Sequence, residues 1–358
     1  MKQTRPRPPI VFDSPKAFVG SLYARFLSLW TRSFAYSLLG GQLLSLCITC
    51  SSVTTTELVD RNWILPSTQT FFTYLSLFAV YTPYTVYRYG LKGWSKVVLR
   101  DGWKYFLLAC GDVEANFMSV KAYGYTDLLS CMLLDAWAIP VCLLTSWIYM
   151  RTKYHWTQIF GVLVSITGLG LLVASDFLTG KDGHAESRGK GDAFMVAAAT
   201  VYGVVNSTEE FFVRRSPIYE VVGQVGMWGM LVSGMQASAL EHELMTLAPW
   251  NGATIGLLVV YTISMFTLYS LAPLLYRTAS SSYFNMSLLT SDFYGLLFGL
   301  FLFHYSPYWL YFPSFAVVIS GLVIYFWHAT PEEQGESNVR IPAYVTAQHG
   351  ADRDVVEA

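Results

Sequence analysis

The sequence predicts an all-α polytopic membrane protein, with ten transmembrane helices arranged as two inverted five-helix repeats. Three observations lead there. First, the 358 residues are 53% hydrophobic and only 13% charged, about half the charged share of an ordinary soluble domain. Second, apolar stretches of about 20 residues, the length a helix needs to cross a bilayer, recur along the chain. Third, carboxylates sit deep inside those stretches, where an ionisable group normally faces a bundle interior or a water-filled path.

Taken in order, the spans fall near 34–56, 68–89, 103–123, 127–149 and 157–177, then 192–213, 219–240, 253–275, 281–303 and 309–328. Span 1 combines Gly40-Gly41-Gln42 with a Ser/Thr run from Ser51 to Thr56, read either as a polar wall or as interhelical hydrogen bonds. Span 3 holds Gly111-Asp112-Val113-Glu114-Ala115-Asn116, and span 4 holds Asp135 five residues before Pro140. Span 6 carries Tyr202, Asn206, Glu209 and Glu210, and span 9 carries Asp292 between Asn285 and Gly295. The longest polar loops are read at Arg88–Lys104 and Asp176–Asp192. This divides the chain into an N-terminal arm (1–33), a first repeat (34–177), a non-cytoplasmic loop (178–191), a second repeat (192–328) and an acidic tail (329–358). The tail, with six acidic and two basic residues, lacks an apolar pattern and reads as disordered.

Positive charge predicts the orientation. With a cytoplasmic N-terminus, 18 of the 23 Lys and Arg residues lie on the cytoplasmic side, and both termini are expected there. The first 33 residues lack the pattern of a cleavable signal peptide. A net charge of −1 gives no reason to expect nucleic acid. Cys47 and Cys50 form a CxxC without a second pair, so no metal or cofactor is expected. No phosphate-binding Gly-x-x-x-x-Gly-Lys-Ser/Thr occurs, which argues against ATP-driven transport.

The repeat is faint. Leu133-Leu134-Asp135-Ala136-Trp137 is answered by Thr290-Ser291-Asp292-Phe293-Tyr294, and Ser165-Ile166-Thr167-Gly168-Leu169 by Val318-Ile319-Ser320-Gly321-Leu322. Halves of five spans must sit in opposite orientations, an arrangement secondary transporters use with the site near the midplane.

Within the spans, spacing selects candidates for a solute path. Asp112 and Asn116 share a helix face, whereas Glu114 points elsewhere and returns to the face of Lys121. Lys121 alternatively snorkels to the outer interface. Pro140 removes a backbone donor, which loosens the turn near Ala136 and Trp137 beside Asp135. Tyr202, Asn206 and Glu209 form one helical stripe, while Glu210 precedes Arg214 by four residues and reads as an ion pair. The glycines near Asp292 suit close helix packing.

Several of these motifs together resemble the F-type branch of solute carrier family 35, within the drug/metabolite transporter superfamily. They are Gly41-Gln42-Leu43-Leu44-Ser45-Leu46-Cys47, the Gly111–Asn116 segment, Leu133-Leu134-Asp135 with Ile139-Pro140, and Tyr202 with Asn206 and Glu209-Glu210. Their order and spacing match across roughly 34–328. The resemblance implies ten spans, cytoplasmic termini and alternating access; motif position together with depth in the spans puts Asp112, Glu114, Asn116, Asp135, Asn206 and Glu209 on the translocation pathway, and the reading of spans 6 and 9 adds Tyr202 and Asp292. The resemblance also implies a small-molecule solute, with modified nucleobases or nucleosides of the queuine and queuosine kind as the cargo class.

The leading expectation is therefore a carrier for a polar, planar solute, whose donors or cationic amine meet cavity carboxylates; those carboxylates could also take up a proton and so couple transport to pH. A nucleotide-sugar exchanger, as elsewhere in family 35, would need basic residues in its cavity, and only Lys121 comes near. A receptor without transport is a further alternative. Enzyme activity is not expected, because neither Asp135 nor Asp292, the two aspartates that could form a dyad, stands in the Gly-x-Gly-Asp setting of intramembrane aspartyl proteases. The bilayer is the expected environment, either the plasma membrane or a Golgi or other endomembrane, and a homodimer is a possible assembly.

Overall fold

A computed structural model describes residues 14–29, 32–126, 128–150, 154–179, 185–302 and 309–326. Among the described residues every regular element is a helix. The helices are α1 (Pro15–Leu29), α2 (Arg32–Asp60), α3 (Pro66–Tyr123), α4 (Leu128–Asp135), α5 (Ala138–Met150) and α6 (Trp156–Thr179). They continue as α7 (Ala185–Val213), α8 (Ile218–Leu240), α9 (His242–Leu247), α10 (Gly252–Thr278), α11 (Ser281–Phe301) and α12 (Tyr311–Phe326). The expected tail, 329–358, lies outside the described residues, as do 1–13 of the arm and 180–184 of the expected non-cytoplasmic loop.

Three stretches are by themselves long and apolar enough to cross a membrane: Ala35–Asp60, Ser130–Tyr149 and Gly252–Thr278. Of the others, α7 carries Asp192, Glu209 and Glu210 and α11 is rich in Ser, Thr and Asn, whereas Trp156–Gly168 and Phe312–Tyr325 are apolar but shorter. The outward faces differ. Leu39, Leu43 and Leu46 on α2, Ile255, Val259 and Ile263 on α10, and Phe293 and Leu297 on α11 are all exposed. Apolar side chains on the outside, around an interior that also buries many hydroxyls, amides and carboxylates, suit a chain solvated by lipid.

The polar loop expected at 88–104 is not a loop. Helix α3 runs on through it, interrupted only at Gly90, where φ is +69° and ψ 162°. Glycine adopts this positive φ at little steric cost, so the chain reverses there. The reversal brings Tyr74, before it, within hydrogen-bonding distance of Asp112, after it (2.8 Å). Hydropathy reads Lys92, Lys96 and Arg100 as breaking a span, but Lys and Arg are good helix formers.

A second break falls where Pro140 predicts it. Pro140 has no N–H to offer the Ala136 carbonyl, and Ile139 N donates to that carbonyl at 3.0 Å instead. Ala136 N and Trp137 N likewise turn to i−3 acceptors, Leu133 O and Leu134 O. The break therefore follows Asp135 directly, separating α4 from α5. Side-chain caps start two later helices: Asn251 accepts from Thr254 N and Ser280 from Tyr283 N.

Lipid tails are as apolar as leucine, so helices associate in a membrane through close packing and hydrogen bonds. Helix α3 packs along α8, α6 against α12, α2 against α10 and α11, and α7 against α3, α4 and α5. Between α6 and α12, Gly161 faces Gly321 so closely that a Cβ at Gly161 would lie 2.6 Å from the Gly321 carbonyl. The Ser/Thr run and its neighbours serve both expected roles. Ser45 and Thr49 donate to Ser287 O and Ser291 O of α11, and Gln42 bonds Thr290 and Tyr294. Ser51, Ser52 and Thr55 border an internal cavity.

A candidate solute cavity and its carboxylates

The cavity lies among α2, α3, α4, α7, α10 and α11, with a volume of about 60 Å³. That holds a few waters and is too small for a bicyclic base. Its wall includes Asn116, Asp135, Tyr202 and Tyr261 with hydroxyls of α2 and apolar Met132, Met195 and Met265. No basic residue is among the described residues that line it. Following the charge bias, we call the ends of the helices near Asp60, Tyr123 and Glu241 outer, and those near Tyr89, Glu210 and Glu220 inner. The cavity sits in the outer half, since Ser51, Ser52 and Thr55 belong to the later part of α2 and Asn116 to Tyr123 to the later part of α3.

Asp112 is buried behind this wall. Its Oδ2 accepts hydrogen bonds from Tyr74 (2.8 Å) and Tyr269 (2.7 Å). Asn116, one turn on, donates from Nδ2 to those same hydroxyls at 3.0 and 2.8 Å. Each tyrosine thus receives from the amide and gives to the carboxylate, closing a network across α3 and α10. Charge-assisted bonds of this kind are the strong ones. Asn116 is the member that also touches the cavity.

Asp135 differs. It borders the cavity, only partly exposed, and its buried Oδ1 has no hydrogen-bond partner among the described residues. Most buried polar atoms are paired, so an exception needs an explanation. Glu209 is also buried and makes no hydrogen bond among the described residues. Tyr202 lines the cavity, whereas Asn206 donates to Asn285 Oδ1 (3.1 Å) and accepts from Tyr276 (3.2 Å).

Two of the expected pathway residues stand apart. Glu114 is exposed on the outside of the bundle, hydrogen-bonded to Gln236 of α8, and does not line the cavity. Its expected partner Lys121 instead lies over the rings of Phe117 (5.2 Å) and Phe194 (5.3 Å). Asp292 belongs to α11, but its side chain is outside the described set.

Sequence reasoning missed several contributors. Tyr74, Tyr261, Tyr269 and Tyr276 were lost among 24 tyrosines, although 261, 269 and 276 are spaced to share one face of α10. Two glutamates at the ends were missed as well. Glu241 accepts from Ser67 N (2.6 Å), Thr68 N (2.8 Å) and Thr68 Oγ1 (2.6 Å), tying α8 to the start of α3 at the outer end. Glu220 accepts from Tyr89 and Tyr105, both at 2.8 Å, tying α8 to both arms of α3 at the inner end.

Comparisons with known proteins agree with this architecture. A sequence model described as solute carrier family 35 (SLC35F) matches residues 30–327. A fission-yeast protein, "Uncharacterized solute carrier family 35 member C320.08", is 44% identical over 82% of this chain, which spans 58% of that relative's length. "Solute carrier family 35 member F2" of mouse is 36% identical over 86% of this chain and 83% of its own. The frog protein of that name is 35% identical over 88% and 82% respectively. A solved structure titled "Crystal structure of protein" shares the fold, with a TM-score of 0.58 at 17% identity over 82% of this chain and 96% of that one.

Proposed function

The chain belongs to solute carrier family 35, and from that premise we propose that it moves a small polar organic solute across a membrane by alternating access. Ten spans in two inverted repeats are part of this reading. Ten segments emerge when α3 is divided at Gly90, α4 is joined to α5, and the short helices α1 and α9 are set aside. The packing supports the repeat too: α2 with α10 and α11 mirrors α7 with the second arm of α3 and α4–α5, while the first arm of α3 pairs with α8 and α6 with α12.

One observation carries the cargo class: Asp135 borders the cavity with an unpaired buried oxygen, and no described lining residue is basic. A solute offering N–H donors or a cationic amine satisfies that carboxylate. An anionic nucleotide sugar would instead meet negative charge without a counter-ion. Modified nucleobases of the queuine kind fit the donor requirement, and their flat rings suit Tyr202 and Tyr261 in the wall. A bicyclic base needs more room than about 60 Å³, so solute entry requires the helices to part.

Uptake of a labelled deazaguanine base into proteoliposomes tests this reading. We expect saturable uptake, inhibited by unlabelled base and not by nucleotide sugars. Inhibition by a nucleotide sugar alone would replace the cargo, and binding without flux would make the protein a receptor.

A further inference from the structure

Helices α2 and α7 end on the same short pattern. Thr54-Thr55-Thr56-Glu57-Leu58-Val59-Asp60-Arg61 aligns with Ser207-Thr208-Glu209-Glu210-Phe211-Phe212-Val213-Arg214. In each, hydroxyl residues lead to a glutamate, two apolar residues and an arginine four places after the glutamate. The offset of 153 is the one that relates Ser165–Leu169 to Val318–Leu322. The two copies occupy opposite ends of the bundle.

Their surroundings are unlike. At the inner end, Arg214 Nη2 lies 2.7 Å from Glu210, and the two side chains are 11% and 1% exposed. Glu210 Oε2 also accepts from Ser281 N (2.8 Å) and Ser281 Oγ (2.5 Å), and Arg214 donates to Ala279 O (3.0 Å). The end of α7 is thereby fastened to the turn joining α10 and α11. At the outer end, Arg61 Nε lies 3.5 Å from Glu57, and the side chains are 45% and 28% exposed. Neither side chain makes another hydrogen bond among the described residues.

We propose that these are two copies of one latch, engaged here only at the inner end, and that Glu57 and Arg61 form the outer one. On this view, which rests on the transport reading above, Glu57 docks on the turn joining α3 and α4 when the inner latch releases. The cavity's position in the outer half suits an engaged inner latch. Exchanging one fastened pair for another of the same chemistry leaves the two conformations close in energy, which a carrier requires if both are to be populated. Left unengaged, a solvent-screened pair of this kind contributes little.

The test reads accessibility rather than transport. The five native cysteines are replaced by serine or alanine, and Ser51→Cys in the cavity wall is labelled by a membrane-impermeant thiosulfonate from each face of sealed vesicles. Glu57→Gln and Arg61→Ala should shift the outer-to-inner labelling ratio toward the outer face by about fivefold or more. Glu210→Gln should shift it toward the inner face. Arg61 is exposed and Glu57 half-exposed, and neither bonds beyond the other among the described residues, so both substitutions should leave the fold intact and a ratio unchanged by either overturns the outer latch while the carrier survives. A shift of all three variants in one direction also overturns it. Absence of labelling from both faces in every variant would overturn the transport reading and the latch together.

Discussion

Asp112 and Asp135 are both carboxylates inside the helix bundle, yet their surroundings set them apart. Asp112 is saturated by two tyrosine hydroxyls that Asn116 holds in place. Asp135 stands at the break between α4 and α5 with an oxygen that no described residue bonds. A satisfied buried network rigidifies a core, whereas a partly satisfied group is a place for something else to bind. Depth in the membrane is thus a poor guide to function, and completeness of hydrogen bonding is a better one.

The largest effect that would sharpen this contrast is on transport. Asp135→Asn should lower the initial uptake rate by about 10–100-fold, the loss of one charge-assisted contact, with an unchanged thermal midpoint in detergent. Next, Asp112→Ala should leave two tyrosine hydroxyls without their acceptor and destabilise the protein by about 1–3 kcal/mol, visible as reduced abundance and a lower midpoint. Tyr269→Phe removes one donor while leaving the other in place, so about 1 kcal/mol is expected from the same measurement. Glu114→Gln keeps the contact to Gln236 on the outside of the bundle and should alter neither uptake nor abundance; a large loss of uptake would break the comparison by showing that an outward-facing carboxylate serves the path. A small effect on the thermal midpoint is also expected for Asp101→Asn. Its pairs with Lys104 (2.6 Å) and Arg100 (2.9 Å) are exposed, so less than about 1 kcal/mol is at stake.

The sequence disclosed the helical membrane class because composition and span length are properties of single segments. It also disclosed the break after Asp135, since Pro140 acts through the backbone four residues away. The continuation of α3 through 91–104 was hidden because a hydropathy window registers Lys92, Lys96 and Arg100 and cannot see a helix that outruns the apolar layer. The separation of Asp112 from Asp135 was equally hidden. It depends on Tyr74 and Tyr269, 38 residues before Asp112 and 157 after it, which only the reversal at Gly90 and the packing of α10 bring together. The sequence did separate Glu114 from the face of Asp112, but that its face looks outward, against Gln236, depends on the packing of α8.

Equilibrium binding of a labelled deazaguanine base to purified protein tests the central claim most directly. The account predicts that Asp112→Asn, corrected for its folded fraction, binds nearly as tightly as the unaltered protein, while Asp135→Asn binds about 10–100-fold more weakly. Undiminished binding by Asp135→Asn would contradict it.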